Sequence, residues 1–214
     1  SERYVGPPVI AVFDNLLPDN DDIRRRVAER IGADGLDAYS LLAKIGRDCV
    51  GALQFLPEGE EPEASDELTG EPLSDEQIAA MLKDLKRTPL GIRRESDFRI
   101  SVAGAQEKTA LLYHEGKWIE PTGTTATTHI FKPAIGKLPN GMDLTDSIEN
   151  EHFCLRLMAA FGLPVAQTEI ATFADTKVLV IERFDRLRAR DGRLIRLPQE
   201  DCCQALSIPP TRKY

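Results

Sequence analysis

The stretch Phe98-Arg-Ile-Ser-Val-Ala-Gly-Ala-Gln-Glu-Lys108 decides how the rest of the chain is read. Phe98, Ile100 and Val102 alternate with Arg99 and Ser101, the period-two pattern of a strand with one apolar face. Ala103-Gly-Ala105 then interrupts the alternation with small side chains, and Thr109 to Tyr113 resumes as a second apolar strand. A turn of small residues between two strands lets backbone N–H groups approach an anion such as a phosphate. The same three residues also suit an ordinary β-turn.

Downstream, Thr128-His-Ile-Phe-Lys132 reads as a short strand ending in a lysine. A phosphate-covering hairpin followed by a strand lysine is the order used in protein-kinase-like folds. An ammonium at Lys132 would neutralise and orient nucleotide phosphate; an edge lysine reaching water is the alternative. Between them, Lys117 to Glu120 predicts a strand and Pro121 to Thr127 a Thr/Gly loop. Pro133 to Leu144 reads as a polar loop. The pattern then predicts a helix over Ser147 to Phe161, capped by Asp146 and stopped by Gly162. Ile148, Phe153, Leu155, Leu157, Met158 and Phe161 are its expected buried surface. Glu149 and Glu151 on this helix are candidates to hold Lys132, and a solvated helix face accounts for either equally well.

Gln167 to Phe173 and Lys177 to Phe184 predict two strands joined at Ala174-Asp-Thr176. Alternation puts Val178, Val180, Glu182 and Phe184 on one face. Asp185 to Arg193 is dense in charge and expected to be exposed. Leu194 to Leu197 reads as a last strand, and Pro198-Gln-Glu-Asp201 opens a helix with acids in its first turn.

Upstream, Ile23, Val27 and Ile31 recur at helical spacing within Asp21 to Ile31, and Leu41, Leu42 and Ile45 within Asp37 to Ile45. Gly46 to Gly51 is a glycine-bounded turn, and Ala52 to Leu56 reads as a strand. Pro57 to Pro72, rich in Glu, Pro, Gly and Ser, reads as a linker or mobile loop. Ser74 and Gln77 form a capping box ahead of the apolar stripe Ile78, Met81, Leu82 and Leu85. The main boundary falls near residues 88 to 96, giving a unit over 1–92 and a second over 93–214. The fold class is α+β: a small N-terminal subdomain followed by a kinase-like lobe of antiparallel strands with one main helix.

Composition excludes several classes of function. The 214 residues carry a net charge of −8, which argues against direct binding to a nucleic-acid backbone. No run approaches a membrane span, and Ser1-Glu-Arg-Tyr is unlike a signal peptide. Cys49, Cys154, Cys202 and Cys203 lack C-x-x-C spacing, and His114, His129 and His152 form no ligand pattern with them. These features point to reduced thiols, a cytoplasmic location and no metal site.

Five segments in order resemble the HipA family of serine/threonine kinase toxins. They are Ile100 to Lys108, Thr127-Thr-His-Ile-Phe-Lys132, Glu149-Asn-Glu-His152, Glu182-Arg-Phe-Asp-Arg186 and Leu197-Pro-Gln-Glu-Asp201. Phe13 to Asp19 and Ile45-Gly-Arg-Asp48 fit the family's N-terminal subdomain. The resemblance implies transfer of the ATP γ-phosphate, with Mg²⁺, to a protein of the translation apparatus, glutamyl-tRNA synthetase being the family's example, and growth arrest or persistence. It implies a HipB-like helix-turn-helix antitoxin dimer as partner, with DNA contacted only through that antitoxin. By resemblance, Ser101 is an autophosphorylation site; an outward-facing strand serine is the plain alternative. Val102, Ala103, Gly104, Ala105 and Gln106 would cradle phosphates, with Lys132 and its partner Glu151 beside them. Glu182 and Phe184 would form the hinge at the adenine, Phe184 serving core packing as well or instead. Gln199 to Asp201 would face ribose or substrate, or cap a helix. Lys108 reads as a phosphate contact or, more simply, an exposed strand lysine, and His129 as a satisfied core histidine. The catalytic-loop and metal-binding aspartates of the family are expected beyond Tyr214, and the family's first strands before Val9, so this chain alone is expected to lack phosphoryl transfer. A nucleotide-independent module that binds antitoxin or substrate is the competing reading.

Overall fold

The computed structural model describes residues 3–60 and 68–213. Three short helices open the chain: α1 (Pro7–Asp14), α2 (Asp21–Ile31) and α3 (Ala38–Ile45). Each of the last two begins at a polar cap. The Asn20 side chain accepts from the Asp22 and Ile23 amides, and Asp37 accepts from the Ser40 amide. Gly32 ends α2 in the left-handed conformation that costs glycine least.

Next come β1 (Gly70–Pro72), α4 (Asp75–Lys83), β2 (Thr109–His114), β3 (Lys117–Pro121) and β4 (His129–Pro133). A two-residue ladder joins β5 (Gly136–Lys137) to β6 (Asp143–Leu144), so the polar loop after β4 contains a small hairpin. Then follow α5 (Ser147–Ala160), β7 (Thr168–Phe173), β8 (Thr176–Glu182), β9 (Arg186–Arg188), β10 (Leu194–Arg196) and α6 (Cys202–Ala205). Six strands make one antiparallel sheet in the order β1-β3-β2-β4-β8-β7. The fold is α+β.

The two faces of the sheet carry separate cores because β8 alternates. Val178 and Val180 join Leu111, Phe131, Phe173 and the α4 residues Ile78 and Leu82. Leu179 and Ile181 point the other way, onto Ile148 of α5. A third core packs α2 and α3 against Phe98, Ile100 and Val102. Burying three such side chains contributes roughly 2 kcal/mol each, which fixes this segment on the N-terminal helices.

Several expectations are corrected. Phe98 to Val102 is extended but joins no strand ladder, because the Ser101 amide donates to the Asp48 carbonyl at 3.0 Å instead of to a neighbouring strand. Ala52 to Leu56 is likewise not a strand. The Phe55 amide closes back onto the Gly46 carbonyl at 2.9 Å, and its ring meets Phe13 edge-on at 5.7 Å. Part of the expected linker, residues 61–67, lies outside the described residues, but its end forms β1 and pairs with β3. Asp146 makes no side-chain cap to α5. Of the expected buried surface of α5, only Ile148 is buried. Phe153 is 64% and Phe161 73% exposed, with Leu157 and Met158 also exposed. Asp185 and Arg186, expected in an exposed charged stretch, are buried at 4% and 8% exposure.

Candidate functional site

Val102 to Gln106 curves over a cavity of about 370 Å³, floored by Ile130 and Ile181 and walled by Lys108 and Lys132. A neighbouring cavity of about 220 Å³ shares Val102, Ala103, Ile130 and Ile181 and extends to Glu182, Phe184, Gln199 and Asp201. The shared residues make the two parts of one cleft, running from the small-residue loop to the end of β8.

The loop is tied down at several points. The Gly104 carbonyl accepts from the Asp19 amide at 3.3 Å, and Gln106 Nε2 donates to the Pro133 carbonyl at 2.7 Å. Gly104 has φ 110°, a backbone conformation that side chains rarely adopt, so the backbone there selects glycine. Lys108 is buried, not exposed; its Nζ donates to the Gln106 carbonyl at 2.6 Å. Burial, with the Lys132 charge nearby, lowers its pKa to about 8. Glu107 turns away and pairs with Arg26 of α2.

Lys132 Nζ donates to Glu151 Oε1 at 2.7 Å, both side chains being partly buried. Glu149, two residues earlier on α5, points elsewhere and pairs with Lys177. The helix accounts for this separation, because residues two apart stand on opposite sides.

Ser101 is fully buried, neither an outward-facing serine nor a solvent-exposed hydroxyl. Its Oγ donates to the Leu16 carbonyl at 2.8 Å. Phe184 is 68% exposed at the rim of the cleft and takes no part in a core. Asp201 caps α6 reciprocally with Gln204 and pairs with Lys213 at 3.0 Å; Glu200 is exposed. His129 lies on the opposite face of β4, edge-on to Trp118 at 5.0 Å, and burial lowers its pKa.

Sequence reasoning missed the charged cluster behind the cleft. Asp48 Oδ2 accepts from the Thr127 amide and hydroxyl at 2.9 and 2.7 Å, and from Arg183 Nη1 at 3.2 Å. Its Oδ1 takes Arg186 Nη2 at 2.8 Å and Arg196 at 3.4 Å. Asp185 pairs with both Arg183 and Arg186. Burial opposes the Asp48 charge, but the arginines override it and hold the carboxyl at about 2. The signal available in sequence was the pairing of Gly46-Arg-Asp48 with Arg183-Phe-Asp-Arg186, two charged motifs distant in the chain. Cys49, in the same turn, is an inert thiol that burial pushes up to about 12.

Comparison with known proteins agrees with this arrangement. Residues 100–214 match the HipA-like C-terminal domain and residues 1–56 the HipA N-terminal domain. The chain belongs to the HipA family. Among its relatives, a Sinorhizobium fredii protein that carries the name of a kinase, Y4mE, is 40% identical over 205 residues, covering 94% of this chain and 47% of the relative. The serine/threonine-protein kinase toxin HipA of Shewanella oneidensis is 31% identical over 201 residues, covering 94% of this chain and 43% of that one. A solved structure of the Shewanella oneidensis toxin–antitoxin system, HipA and HipB with operator DNA, superposes with a TM-score of 0.73 at 30% identity. That match covers 97% of this chain and 46% of the solved one. This HipA-family chain thus spans somewhat under half the length of the relatives it matches. Among the described residues, no helix is long and apolar enough to cross a membrane, and no three His, Cys, Asp or Glu side chains group as a metal site.

Proposed function

We propose that this chain is the nucleotide-binding portion of a serine/threonine-protein kinase toxin. The observation that carries the reading is the Lys132–Glu151 pair at 2.7 Å beside the small-residue loop. A kinase needs a lysine held by a helix glutamate to orient nucleotide phosphates. The residues present fit the phosphate end of ATP. Val102 to Gln106 would approach it with backbone, Lys132 would pair with it, and buried Lys108 has, among the described residues, no carboxylate hydrogen-bonded to its ammonium. Glu182 and Phe184 would meet the adenine at the far end of the cleft. ATP supplies the γ-phosphoryl group when bound; what the chain's own residues do is hold and orient it. The described residues offer no group of three carboxylate, His or Cys side chains for Mg²⁺.

In this reading the target is a protein hydroxyl in the translation apparatus, such as an aminoacyl-tRNA synthetase, and growth arrest with persistence follows. Autophosphorylation at Ser101 would require the Ser101 hydroxyl to leave the Leu16 carbonyl, and the added charge would keep the loop out of its seat. A HipB-like antitoxin dimer is the partner, DNA is reached through it, and the protein works in the cytoplasm. The exposed α5 residues Phe153, Leu157 and Phe161 favour a second role in binding a partner.

ATP titration of the 214-residue protein tests the reading. Lys132→Ala is expected to weaken ATP binding by about tenfold or more, the loss of a charge-assisted phosphate contact. Antitoxin binding is expected to survive the substitution. Undetectable ATP binding by the parent chain, or equal binding by Lys132→Ala, would leave only the partner-binding role.

A further inference from the structure

A groove of about 720 Å³ lies between the end of α4, the β5–β6 hairpin and the small-residue loop. Ile135, Leu138 and Leu144 line it half-buried, so they are neither sealed in a core nor fully in water. Ala105 and Gln106 line both this groove and the cleft beside Lys132. The rim is basic, although the chain carries a net charge of −8. From Lys83 to Arg94 the sequence holds five cations and a single carboxylate, Asp84. Asp175 balances Lys83, Glu120 balances Arg93, and Lys137 of the hairpin stands 3.6 Å from Asp143. Lys86 and Arg87 are exposed and have no carboxylate partner among the described residues. Nearby guanidinium groups reinforce this charge: Arg26 Nη1 donates to the Lys86 carbonyl and Arg30 Nη2 to the Arg87 carbonyl, each at 2.6 Å. Glu107, the one carboxylate among the lining residues, is taken by Arg26.

We propose that this groove docks an acidic polypeptide segment of a partner protein, its aliphatic side chains on Ile135, Leu138 and Leu144 and its carboxylates on Lys86 and Arg87. An apolar centre with unmatched cations at the rim is complementary to apolar side chains bracketed by negative charge. A nucleic-acid strand suits the rim but not the groove. None of the lining residues is aromatic, so a base finds no ring to stack on, and the aliphatic walls offer nothing to a phosphate. Docking needs only the groove and its rim, so it stands whether or not the chain binds ATP. Taken with the kinase reading, on which this last step alone rests, the docked segment is the one that carries the acceptor hydroxyl, because the groove adjoins the phosphate end of the cleft.

Backbone amide NMR titration of the protein with acetyl-Glu-Leu-Ser-Leu-Glu-Asp-amide, without ATP, tests it. Saturable shifts are expected at Lys86, Ile135, Leu138 and Leu144. Two control peptides, one with lysine at each acidic position and one with alanine for both leucines, are each expected to bind about tenfold more weakly. The side chains of Lys86 and Arg87 are exposed, so the double variant Lys86→Glu, Arg87→Glu keeps the fold while weakening the acidic peptide by about tenfold. Because ATP is left out, a failed nucleotide titration leaves this result standing, and a failed peptide titration leaves the nucleotide reading standing. Absence of saturable shifts in the groove overturns the proposal. So does equal affinity for either control peptide, or unchanged affinity in the folded double variant. Stronger shifts at Lys86 and Arg87 with an oligothymidylate than with the acidic peptide overturn it too, and would make the rim a phosphate-binding surface.

Discussion

Replacing Asp48 by alanine removes the anion that three arginines share. Arg183 and Arg186 are each 2% exposed at the side chain, so neither recovers water when its partner goes. Asp185 remains, but it already pairs with both. The Thr127 amide and hydroxyl also lose their acceptor. Breaking a buried ion pair from one side costs roughly 3–5 kcal/mol, a large part of the roughly 5–15 kcal/mol that holds a domain folded. With a urea slope of about 2 kcal/mol per molar, the unfolding midpoint should fall by about 2 M. Asp175→Ala provides the contrast: its pair with Lys83 is exposed at both ends, and the midpoint should hardly move. Equilibrium urea unfolding followed by tryptophan fluorescence reads both, since Trp118 sits in the sheet core beside Phe131 and Phe173. A drop below about 0.5 M for Asp48→Ala would mean that the arginines find other partners or water, and that the cluster does not hold the fold together.

Other outcomes can be checked in parallel. Asp48 has a folded pKa near 2, below the ordinary 3.8, so its contribution is complete above pH 4 and drains away as pH falls toward 2. Acid unfolding of the parent should therefore carry a steep step in that window that Asp48→Asn lacks. Lys108, lowered to about 8, should regain its proton when phosphate enters the cleft. Calorimetry of ATP binding at pH 8 in buffers of different ionisation enthalpy should report uptake of up to about half a proton, and none in Lys108→Met. Ser101→Ala leaves the buried Leu16 carbonyl without its donor, so it should cost about 1 kcal/mol, read as a lower melting temperature. Ala174 sits at φ 50° as the first residue of the two-residue turn between β7 and β8, a position that favours glycine, so Ala174→Gly should raise stability by about 0.5–1 kcal/mol in the same melting assay.

The helices with local punctuation were legible in the chain. The reciprocal cap of Ser74 and Gln77 forms as read, because a capping box depends only on residues three apart. The hairpin of β7 and β8 was legible for the same reason: apolar alternation on both sides of a short turn. Extended segments were harder. Phe98 to Val102 has a strand's pattern, but alternation says only that one side is buried, not what the backbone bonds to. The α5 stripe was overcalled because helical periodicity identifies an apolar face without saying whether anything covers it. Within the cleft, the small-residue loop and Lys132 stand out as local patterns. Choosing Glu151 over Glu149 required the phase of α5, which sequence spacing alone left open. The Asp48 cluster was hidden because a dense run of charge reads as surface. Only long-range pairing, across more than a hundred residues between Asp48 and Arg183, turns Asp185 and Arg186 inward.

The uncovered stripe on α5 has a consequence for the chain as a solute. Phe153, Leu157 and Phe161 stand at successive four-residue steps, so they form a row of adhesive contacts along one edge of the molecule. Two such rows meeting would remove on the order of 400 Å² of apolar surface from water, about 10 kcal/mol before the entropy of association is subtracted. That attraction competes with the mutual repulsion of molecules bearing a net charge of −8. Dilute, low-salt solutions therefore favour dispersed chains. Added salt shortens the reach of the repulsion and leaves the adhesive row in place, so the osmotic second virial coefficient should fall and change sign. Warming from the cold should push it the same way, because apolar attraction strengthens with temperature over that range.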